Sequence, residues 1–376
     1  PFGSIFNSGN YFGERNDGLI LIENIAGLAR NAYRAQNTIY SSYISTKIVF
    51  NEITDFILGM RIEQDNLFLE PYNPTNNKIF ENNLTKEEIK VDRTELNFIP
   101  SINISYGEQN KFRFALSRTK ARPQFRELAP FEFQEYYSEE PIVGYPGLKS
   151  TDITNFDLRY EKYISASEIL SSAVFYKNFN NPIEAAYIPS NDRAYKTYQN
   201  ALNALSYGLE IEYRKNLRFI PLQIGIASIS INGIFTNSEV QSDSVAYLFN
   251  NSSIKNNASN LTRSMQGQSD YVFNALINFK HTSSRIDFSL SYNTFSKRIN
   301  VIGTGDLVDE YEFPYHLVNF QVKQTFLKIY EFNFKVKNLL NSQKKYGYIE
   351  RDTNNIFYTK KYKTGSSISA SLKIKF

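Results

Sequence analysis

The densest group of side chains that could bind a ligand or take part in a reaction is an acidic and aromatic stretch between residues 119 and 151. It combines paired tyrosines with several carboxylates: Glu132, Glu135, Tyr136, Tyr137, Glu139 and Glu140. A second stretch, residues 179–203, adds three more tyrosines: Tyr187, Tyr195 and Tyr198. Aromatic rings can stack on sugars or catechols, and carboxylates can meet a cation or a metal complex. We take the tyrosines of both stretches as candidate ligand contacts, although a solvated surface explains the charges more simply.

The same sequence contains few of the residue types and spacings that catalysis or metal binding requires. It contains no cysteine and only two histidines, His281 and His316, which are too few for a histidine-rich metal site. No Ser-His-Asp order, glycine-rich phosphate loop or metal-ligand spacing is present. The neighbouring acids Glu139 and Glu140 lack a partner suited to acid–base catalysis, so we interpret them as solvated neighbours. We expect no enzyme activity, no bound metal and no cofactor.

Composition restricts the partners more than it restricts the fold. The formal net charge is +4 across 376 residues with acids and bases interspersed, which gives no indication of nucleic-acid binding. Tyrosine and phenylalanine, at 27 and 30 residues, suit strands and the interfacial girdles of a membrane barrel. The chain opens Pro1-Phe2-Gly3 without a charged start or an apolar leader. We expect either that a leader was removed or, as we favour, that the chain comes from the middle of a longer polypeptide.

Strands must position these side chains, because a period of two runs through most of the chain. In residues 368–376 the even positions are apolar and the odd positions are polar. Residues 285–293 behave in the same way, with Phe288 on the apolar side and Asp287 on the polar side. A final strand that ends on an aromatic residue is the usual finish of an outer-membrane β-barrel. We therefore take Phe376 as a C-terminal assembly signal.

The alternation predicts about thirteen strands, separated by connections that are short and long in turn. The predicted strands are 36–51, 53–68, 94–106, 111–118, 152–163, 168–178, 204–215, 222–238, 270–280, 285–296, 314–324, 330–339 and 361–376. Short turns on one rim and long loops on the other are typical of an outer-membrane barrel. An uncharged run at 219–238 has the length of a membrane helix, but Pro221 and two glycines interrupt it and its isoleucines favour a strand.

Side-chain direction separates two interpretations of this pattern. In a membrane barrel the apolar rows face lipid and the ionic rows face the lumen. Four residues represent the rows expected to face lipid: Phe112, Leu209, Phe288 and Leu372. A soluble β-sandwich, propeller or β-rich binding domain also alternates, but it accounts less well for so much charge on one face. The pattern favours the membrane barrel and leaves the soluble alternative open.

A motif in the middle of the chain adds a family resemblance. Residues 118–130 read RTKARPQFRELAP and resemble the T-x-A-R-P-x-F-x-E-L-x-P stretch of TonB-dependent receptors, which are outer-membrane transporters of scarce nutrients. Further matching segments follow in the family's order: 144–149, 155–161, 175–177, 181–184, 207–212 and 336–341. The first of these departs from the family's G-N-P-x-L-K pattern through Tyr145 and an additional Gly147. The remainder of the chain, residues 1–117, carries only the strand pattern.

The resemblance implies a barrel of about 22 strands around an N-terminal plug domain, driven from the inner membrane through a TonB-binding segment. We recognise neither part here, so we expect residues 1–376 to be the C-terminal β-barrel portion of a longer receptor. The implied function is energy-coupled import of a siderophore, glycan, cofactor or metal complex across the bacterial outer membrane. A passive porin-like channel or an adhesin barrel is the alternative. The implied partners are the lipid bilayer, TonB, the barrel-assembly machinery, a small nutrient ligand and a surface lipoprotein.

The resemblance also marks residues that we expect to be structural rather than ligand-binding: Arg122, Pro123, Phe125, Glu127 and Asn338. We expect Pro123 to end strand pairing at the start of a long outer loop, because proline has no backbone N–H. We expect Arg122 to pair with a lumen acid such as Glu127. The remaining charges of the polar rows are expected to dock the plug domain.

Overall fold

The structure is a computed structural model, and almost all of its regular structure is β-strand. It describes residues 33–71, 90–129, 132–134, 140–188, 195–217, 220, 224–241, 245–247, 253–255, 262–304, 307–327, 329–350 and 353–374. Several residues singled out from the sequence lie outside this part of the chain: Glu135, Tyr136, Tyr137, Glu139, Pro221 and Phe376.

In chain order the elements are β1 (Tyr33–Asn51), β2 (Thr54–Pro71), β3 (Val91–Tyr106), β4 (Asn110–Ala121), α1 (Phe125–Leu128), β5 (Glu132–Phe133), β6 (Ile142–Val143), β7 (Thr151–Ser165), β8 (Glu168–Asn180), β9 (Ile183–Ile188), β10 (Tyr195–Asn200), β11 (Asn203–Asn216), β12 (Gly225–Gln241), β13 (Val245–Tyr247), β14 (Ser253–Lys255), β15 (Thr262–Arg263), β16 (Tyr271–His281), β17 (Ile286–Phe295), β18 (Arg298–Val301), β19 (Glu310–Glu312), β20 (Leu317–Phe326), β21 (Tyr330–Lys337), β22 (Gln343–Ile349), β23 (Ile356–Lys363) and β24 (Ser367–Ile374).

One sheet forms a continuous wall in which strands follow one another in chain order and every pair is antiparallel. The order is β1-β2-β3-β4-β7-β8-β11-β12-β16-β17-β20-β21-β24, with β15 added on β12. Each strand predicted from alternation has a counterpart in this wall. The uncharged run at 219–238 is largely covered by β12, so its prediction as a strand is confirmed. Among the described residues, no helix is long and apolar enough to cross a membrane.

The end of the chain differs from the single strand predicted at 361–376. Strand β23 belongs to a separate sheet, and the wall strand β24 begins only at Ser367. Between them, Gly365 has φ +81°, in the left-handed region that favours glycine. The chain turns there, so the prediction of one continuous strand is wrong and its first residues belong to the separate sheet.

Connections along the wall alternate between tight turns and long loops, as the sequence predicted. The tight connections define a turn rim: 52–53, 107–109, 166–167, 217–224, 282–285 and 327–329. The long connections define a loop rim: 72–90, 122–150, 181–202, 242–270, 296–316 and 338–366. Gly107 shows how tight the turns are, because its φ is +100° and an added Cβ would lie 2.0 Å from the carbonyl oxygen of Asn110.

The apolar face of the wall is exposed along its length. One row of cross-strand partners runs through Leu116, Phe156, Tyr176 and Tyr207, with exposed fractions of 39%, 37%, 43% and 47%. The rows chosen from the sequence lie on the same face: Phe112 and Leu372 are exposed, and Leu209 and Phe288 are half-buried. These side chains do not meet in a compact interior, which agrees with a lipid-facing surface.

The opposite, polar face of the wall carries ionic side chains that pair across strands. Arg113 on β4 contacts Glu161 on β7 at 3.0 Å, and Arg159 on β7 contacts Glu210 on β11 at 3.2 Å. Glu161 is buried although the wall is only one sheet thick. The polar face therefore forms an ordered ionic surface.

A second sheet lies at the loop rim and is built from strands of four different long loops. Its two parts have the orders β5-β6-β10-β9 and β18-β19-β22-β23. Two backbone hydrogen bonds join the parts, from the N–H of Ile302 to the Ala185 carbonyl at 3.1 Å and from the N–H of Tyr187 to the Ile302 carbonyl at 2.7 Å. We call the combined structure the loop sheet.

Candidate functional site

Arg122 lies just beyond the end of β4 and is held by two acids of β2. Its Nε donates to Asp65 and its Nη2 donates to Glu63, and Arg61 donates to the other oxygen of Glu63 at 2.6 Å. The side chains of Glu63 and Asp65 are only 8% and 6% exposed. Removing the guanidinium would leave two buried carboxylates without their main cation.

Arg122 pairs with Glu63 and Asp65 and not with Glu127. The expected Arg122–Glu127 pair is therefore wrong. The Glu127 carboxylate instead accepts a hydrogen bond from the backbone N–H of Gln124 at 2.8 Å, at the first turn of α1. This contact satisfies a backbone donor that the helix itself leaves unpaired. Burial raises the pKa of Glu127 above its usual range, and the bond from Gln124 opposes that shift only in part.

The rest of the motif packs into an apolar cluster at the loop rim. Pro123 is buried, and Leu128 of α1 is fully buried. The cluster joins the ends of β2 and β3 to the motif through Leu67, Leu69, Val91, Leu128, Ala129 and Leu148, with Phe125 and Tyr198 against it. The motif thus fixes the direction in which a long loop leaves the wall.

A second ionic group lies beside this cluster and was not singled out from the sequence. Lys120 contacts the Glu95 carboxylate at 2.9 Å and the Asn97 side-chain oxygen at 2.6 Å. Ser150 donates to the same carboxylate at 3.1 Å. The sequence signal for Glu63, Asp65 and Glu95 is only their odd positions on alternating strands, because the cations Arg122 and Lys120 that pair with them lie 25 to 59 residues away along the chain.

Asn338 holds the exit from β21 toward the loop sheet. Its φ is 52°, a left-handed conformation that asparagine adopts more readily than most residues. Its side-chain nitrogen donates to the Gly365 carbonyl at 2.9 Å, and its side-chain oxygen accepts from the Ser342 N–H at 3.0 Å. One side chain therefore joins both ends of the last long connection.

The tyrosines of the 179–203 stretch differ in accessibility. Tyr187 is 2% exposed, with the Lys196 Nζ 5.5 Å from its ring centre. Burial raises the pKa of Tyr187, and the Glu310 carboxylate acts in the same direction. Tyr195 and Tyr198 are half-buried, and Tyr198 packs on the apolar cluster of the loop rim. Because Tyr187 is buried, it could contact a ligand only after a rearrangement of the loop sheet.

The loop sheet has an inner face, defined by Tyr187, Arg298, Glu310, Glu312, Tyr346 and Tyr348. Arg298 bridges this face to the wall, since it donates to Glu312 at 2.8 Å and stacks 4.5 Å from the ring centre of Phe295. Glu310 accepts hydrogen bonds from Asn300 and Thr359, each at 2.7 Å. The two acids are buried and paired, so the inner face is ordered by its own contacts.

Tyrosine chemistry on the inner face is that of neutral phenols. Burial raises the pKa of Tyr346, and the Glu312 carboxylate 3.3 Å from its hydroxyl adds to the effect. The Tyr346 ring stacks on the Tyr362 ring with centres 6.3 Å apart and planes 7° apart. No group of three histidine, cysteine or carboxylate residues suited to a metal ion occurs within the described ranges. The inner face can therefore bind a ligand through aromatic stacking and hydrogen bonding.

Solved structures share this fold at low sequence identity. The ferric enterobactin receptor PfeA from Pseudomonas aeruginosa, as a mutant bound to enterobactin, is 12% identical with a TM-score of 0.56 over 92% of this chain and 55% of that chain. The ferric yersiniabactin uptake receptor FyuA from Yersinia pestis is 14% identical with a TM-score of 0.57 over 92% and 46%. The copper transporter OprC is 10% identical with a TM-score of 0.61 over 91% and 49%.

This chain therefore spans about half the length of the solved proteins that it resembles. No curated protein sequence matches it. A family model described as an outer membrane protein beta-barrel family matches residues 4–373, which supports the membrane barrel over the soluble sandwich and propeller. The chain belongs to this outer membrane protein beta-barrel family.

Proposed function

We propose that this chain is the C-terminal barrel portion of a TonB-dependent receptor that imports a scarce nutrient across the outer membrane. The observation that carries the proposal is the loop sheet. Strands from four long loops fold into an ordered layer at one rim of a membrane wall. A receptor needs such a layer to recognise a ligand, because binding residues sit on loops that a rigid scaffold positions. A simple diffusion pore does not need it.

The ionic pairs of the polar face support a plug domain inside the barrel. Arg113 with Glu161 and Arg159 with Glu210 form a surface of fixed charges that a water-filled pore does not require. Arg159 and Glu210 each keep more than a third of their side-chain surface exposed. That remaining surface is available for hydrogen bonds to a domain seated in the lumen.

The open edges of the wall support its completion by further strands. Within the described sheet, β1 pairs only with β2 and β24 pairs only with β21. An unpaired strand edge in lipid leaves N–H and C=O groups without hydrogen-bond partners. Each such group costs on the order of several kcal/mol. A barrel of about 22 strands would need roughly nine more. The barrel-assembly machinery would insert this barrel, with the terminal aromatic Phe376 as its signal.

The nutrient class follows only by analogy with the solved neighbours. Their names describe receptors or transporters for ferric enterobactin, ferric yersiniabactin and copper. We propose a ligand of that general kind, a siderophore, a metal complex, a cofactor or a glycan, bound without catalysis. TonB would supply the energy coupling, and a surface lipoprotein at the loop rim would be a further partner.

The test is uptake by the full-length protein under control of the inner-membrane proton gradient. Cells with and without the gene are grown on limiting iron, copper, a glycan or a cofactor, and uptake of the nutrient that shows a growth defect is followed with a radiolabel. We expect a protonophore or loss of TonB to abolish that uptake. Uptake that persists under both treatments would indicate a passive porin-like channel. Absence of any nutrient-specific defect would indicate an adhesin or another structural barrel.

A further inference from the structure

The outer face of the loop sheet, opposite the inner face, carries a pair of lysines in an unfavourable arrangement. Lys345 on β22 lies directly opposite Lys361 on β23. Like charges in such cross-strand positions repel and destabilise a sheet. Both ammonium groups lie over the ring of Tyr358, at 5.9 and 3.7 Å from its centre. A local conflict of this kind is expected where function requires it.

A third lysine extends the positive charge along the same face. Lys297 lies 5.2 Å from the ring centre of Tyr311. Within the described residues, none of Lys297, Lys345 and Lys361 forms an ion pair with an acid, whereas five other cations near the loop rim do: Lys120, Arg122, Lys196, Arg263 and Arg298. Three ammonium groups resting on aromatic rings leave their charge available to an external anion.

An apolar cleft of ≈ 440 Å³ adjoins these lysines. Lys297, Phe313, Ile349 and Ile356 line the cleft, together with Tyr271. The Phe313 ring packs edge-on against the Tyr358 ring with centres 5.5 Å apart, which connects the cleft to the lysine pair. The site therefore combines positive charge with an open, mainly apolar cleft that Ser296 and Asn354 also line.

One lining residue, Tyr271, connects the cleft to the apolar rows of the wall. Tyr271, at the loop end of β16, pairs with Phe235, which pairs with Leu209 in the apolar rows. Tyr271 and Phe235 are 42% and 58% exposed. Ile349 lies four residues from Lys345 on the same strand and therefore on the same face. The site sits where the apolar wall ends, at the level where aromatic girdles of membrane barrels meet lipid headgroups.

We propose that this site binds a phosphorylated lipid of the outer leaflet, with its phosphate on Lys297, Lys345 and Lys361. An acyl chain of the same lipid would occupy the apolar cleft beside Phe313 and Ile356. Ammonium groups bind phosphate through charge-assisted hydrogen bonds, and clustered lysines next to a membrane surface recognise anionic headgroups. An acidic protein partner would also suit the lysines. The continuity of the cleft with the lipid-facing rows favours the lipid.

The test uses the full-length protein in nanodiscs of neutral phospholipid with added lipid A, and it counts bound lipid by native mass spectrometry. The variant Lys345→Gln/Lys361→Gln removes two charges from the outer face. The matched control Lys344→Gln/Lys360→Gln removes two charges from the inner-facing side of the same hairpin. We expect roughly thirty-fold weaker binding of doubly phosphorylated lipid A for the outer-face variant. The control should change by about threefold or less.

Three results would overturn the proposal. Equal losses in the two variants would show a general charge effect, and equal binding of lipid A without phosphates would show that the lysines do not read phosphate. Tight binding of inorganic phosphate alone would assign the site to a free anion. Heat-modifiable migration on a gel confirms that each variant is folded before binding is measured. Nutrient uptake is measured separately, so a failure of the lipid site leaves the proposed transport function untouched.

Discussion

The wall and the loop sheet of this protein are ordered by opposite arrangements of polar and apolar groups. The wall leaves an apolar row such as Leu116 and Tyr207 exposed and turns its charges toward the other face. The loop sheet instead buries paired charges: Glu184 is 3% exposed and receives both terminal nitrogens of Arg263, which lies 79 residues away. The wall exposes an apolar face and keeps its ion pairs on the other face, whereas the loop sheet uses its ion pairs to join separate loops. The two regions should therefore fail in different ways when residues are changed.

The largest effect is expected at Arg122, a half-buried cation that pairs with two buried acids at the loop rim. Arg122→Met removes the partner of Glu63 and Asp65, and breaking such a buried group costs about 3–5 kcal/mol, toward the lower end because Arg122 itself is 23% exposed. We expect the loops of this variant to be cut much faster by an added protease while the wall stays heat-modifiable. The triple variant Arg122→Met/Glu63→Gln/Asp65→Asn is the control and should recover most of the loss. Unchanged loop proteolysis in Arg122→Met would contradict the contrast between the two regions.

The second largest effect is expected in the wall, where the loss of folded protein should depend only on which face carries the substitution. Leu158 is 43% exposed on the apolar face, and the adjacent Asp157 lies on the polar face of the same strand. A lysine near the bilayer midplane costs about 2–4 kcal/mol on the lipid side. We expect Leu158→Lys to lower the yield of folded protein in outer-membrane fractions and Asp157→Lys to leave it near the wild-type level. Equal yields would remove the basis for assigning the two faces.

A smaller effect is expected at the junction between wall and loop sheet. Asn338→Ala places alanine at φ 52° and removes the side-chain bonds to Gly365 and Ser342, for a combined cost of about 2 kcal/mol. Asn338→Gly relieves the backbone strain but not the lost bonds, so it should recover about half of that cost. Thermal unfolding in detergent measures both variants. If alanine and glycine behave alike, the left-handed backbone contributes little.

The smallest effect is a pH dependence of the loop rim. Because the folded-state pKa of Glu127 is raised by burial, its contribution to stability is present at low pH and is lost as the pH rises through that pKa. Glu127→Gln does not ionise, so its stability relative to wild type should increase as the pH rises from acidic to neutral. Hydrogen exchange of the α1 amides at several pH values measures the difference. If the stability of Glu127→Gln instead falls relative to wild type as the pH rises, the sign assigned to this burial is wrong.

The sequence predicted the wall far better than the loop sheet, and the reason is physical. Alternation is local, so most wall strands and their facing could be inferred from about ten neighbouring residues, whereas the poorly alternating stretches 38–50 and 168–177 were assigned from the strands beside them. The loop sheet depends on pairings between distant loops, such as Ile302 with Ala185, which no local pattern encodes. The same limit explains why the motif residue Arg122 was noticed while its partners Glu63 and Asp65 were missed. The break at Gly365 has a signal in the sequence that the predicted strand passed over, because three lysines at 360, 361 and 363 and the glycine itself precede the alternation that begins at Ile368.

The central claim is that the apolar rows face lipid and the ionic rows face the lumen. This chain has no cysteine, so single cysteines can be placed at Phe156, Asp157, Leu158, Arg159 and Tyr160 of β7 and spin-labelled in the full-length protein in bilayers. Collision rates with dissolved oxygen and with a polar nickel complex then report the surroundings of each label. The account predicts a period of two, with oxygen favoured at the even positions and nickel at the odd positions. Rates that do not alternate, or that alternate with the opposite sign, would contradict it.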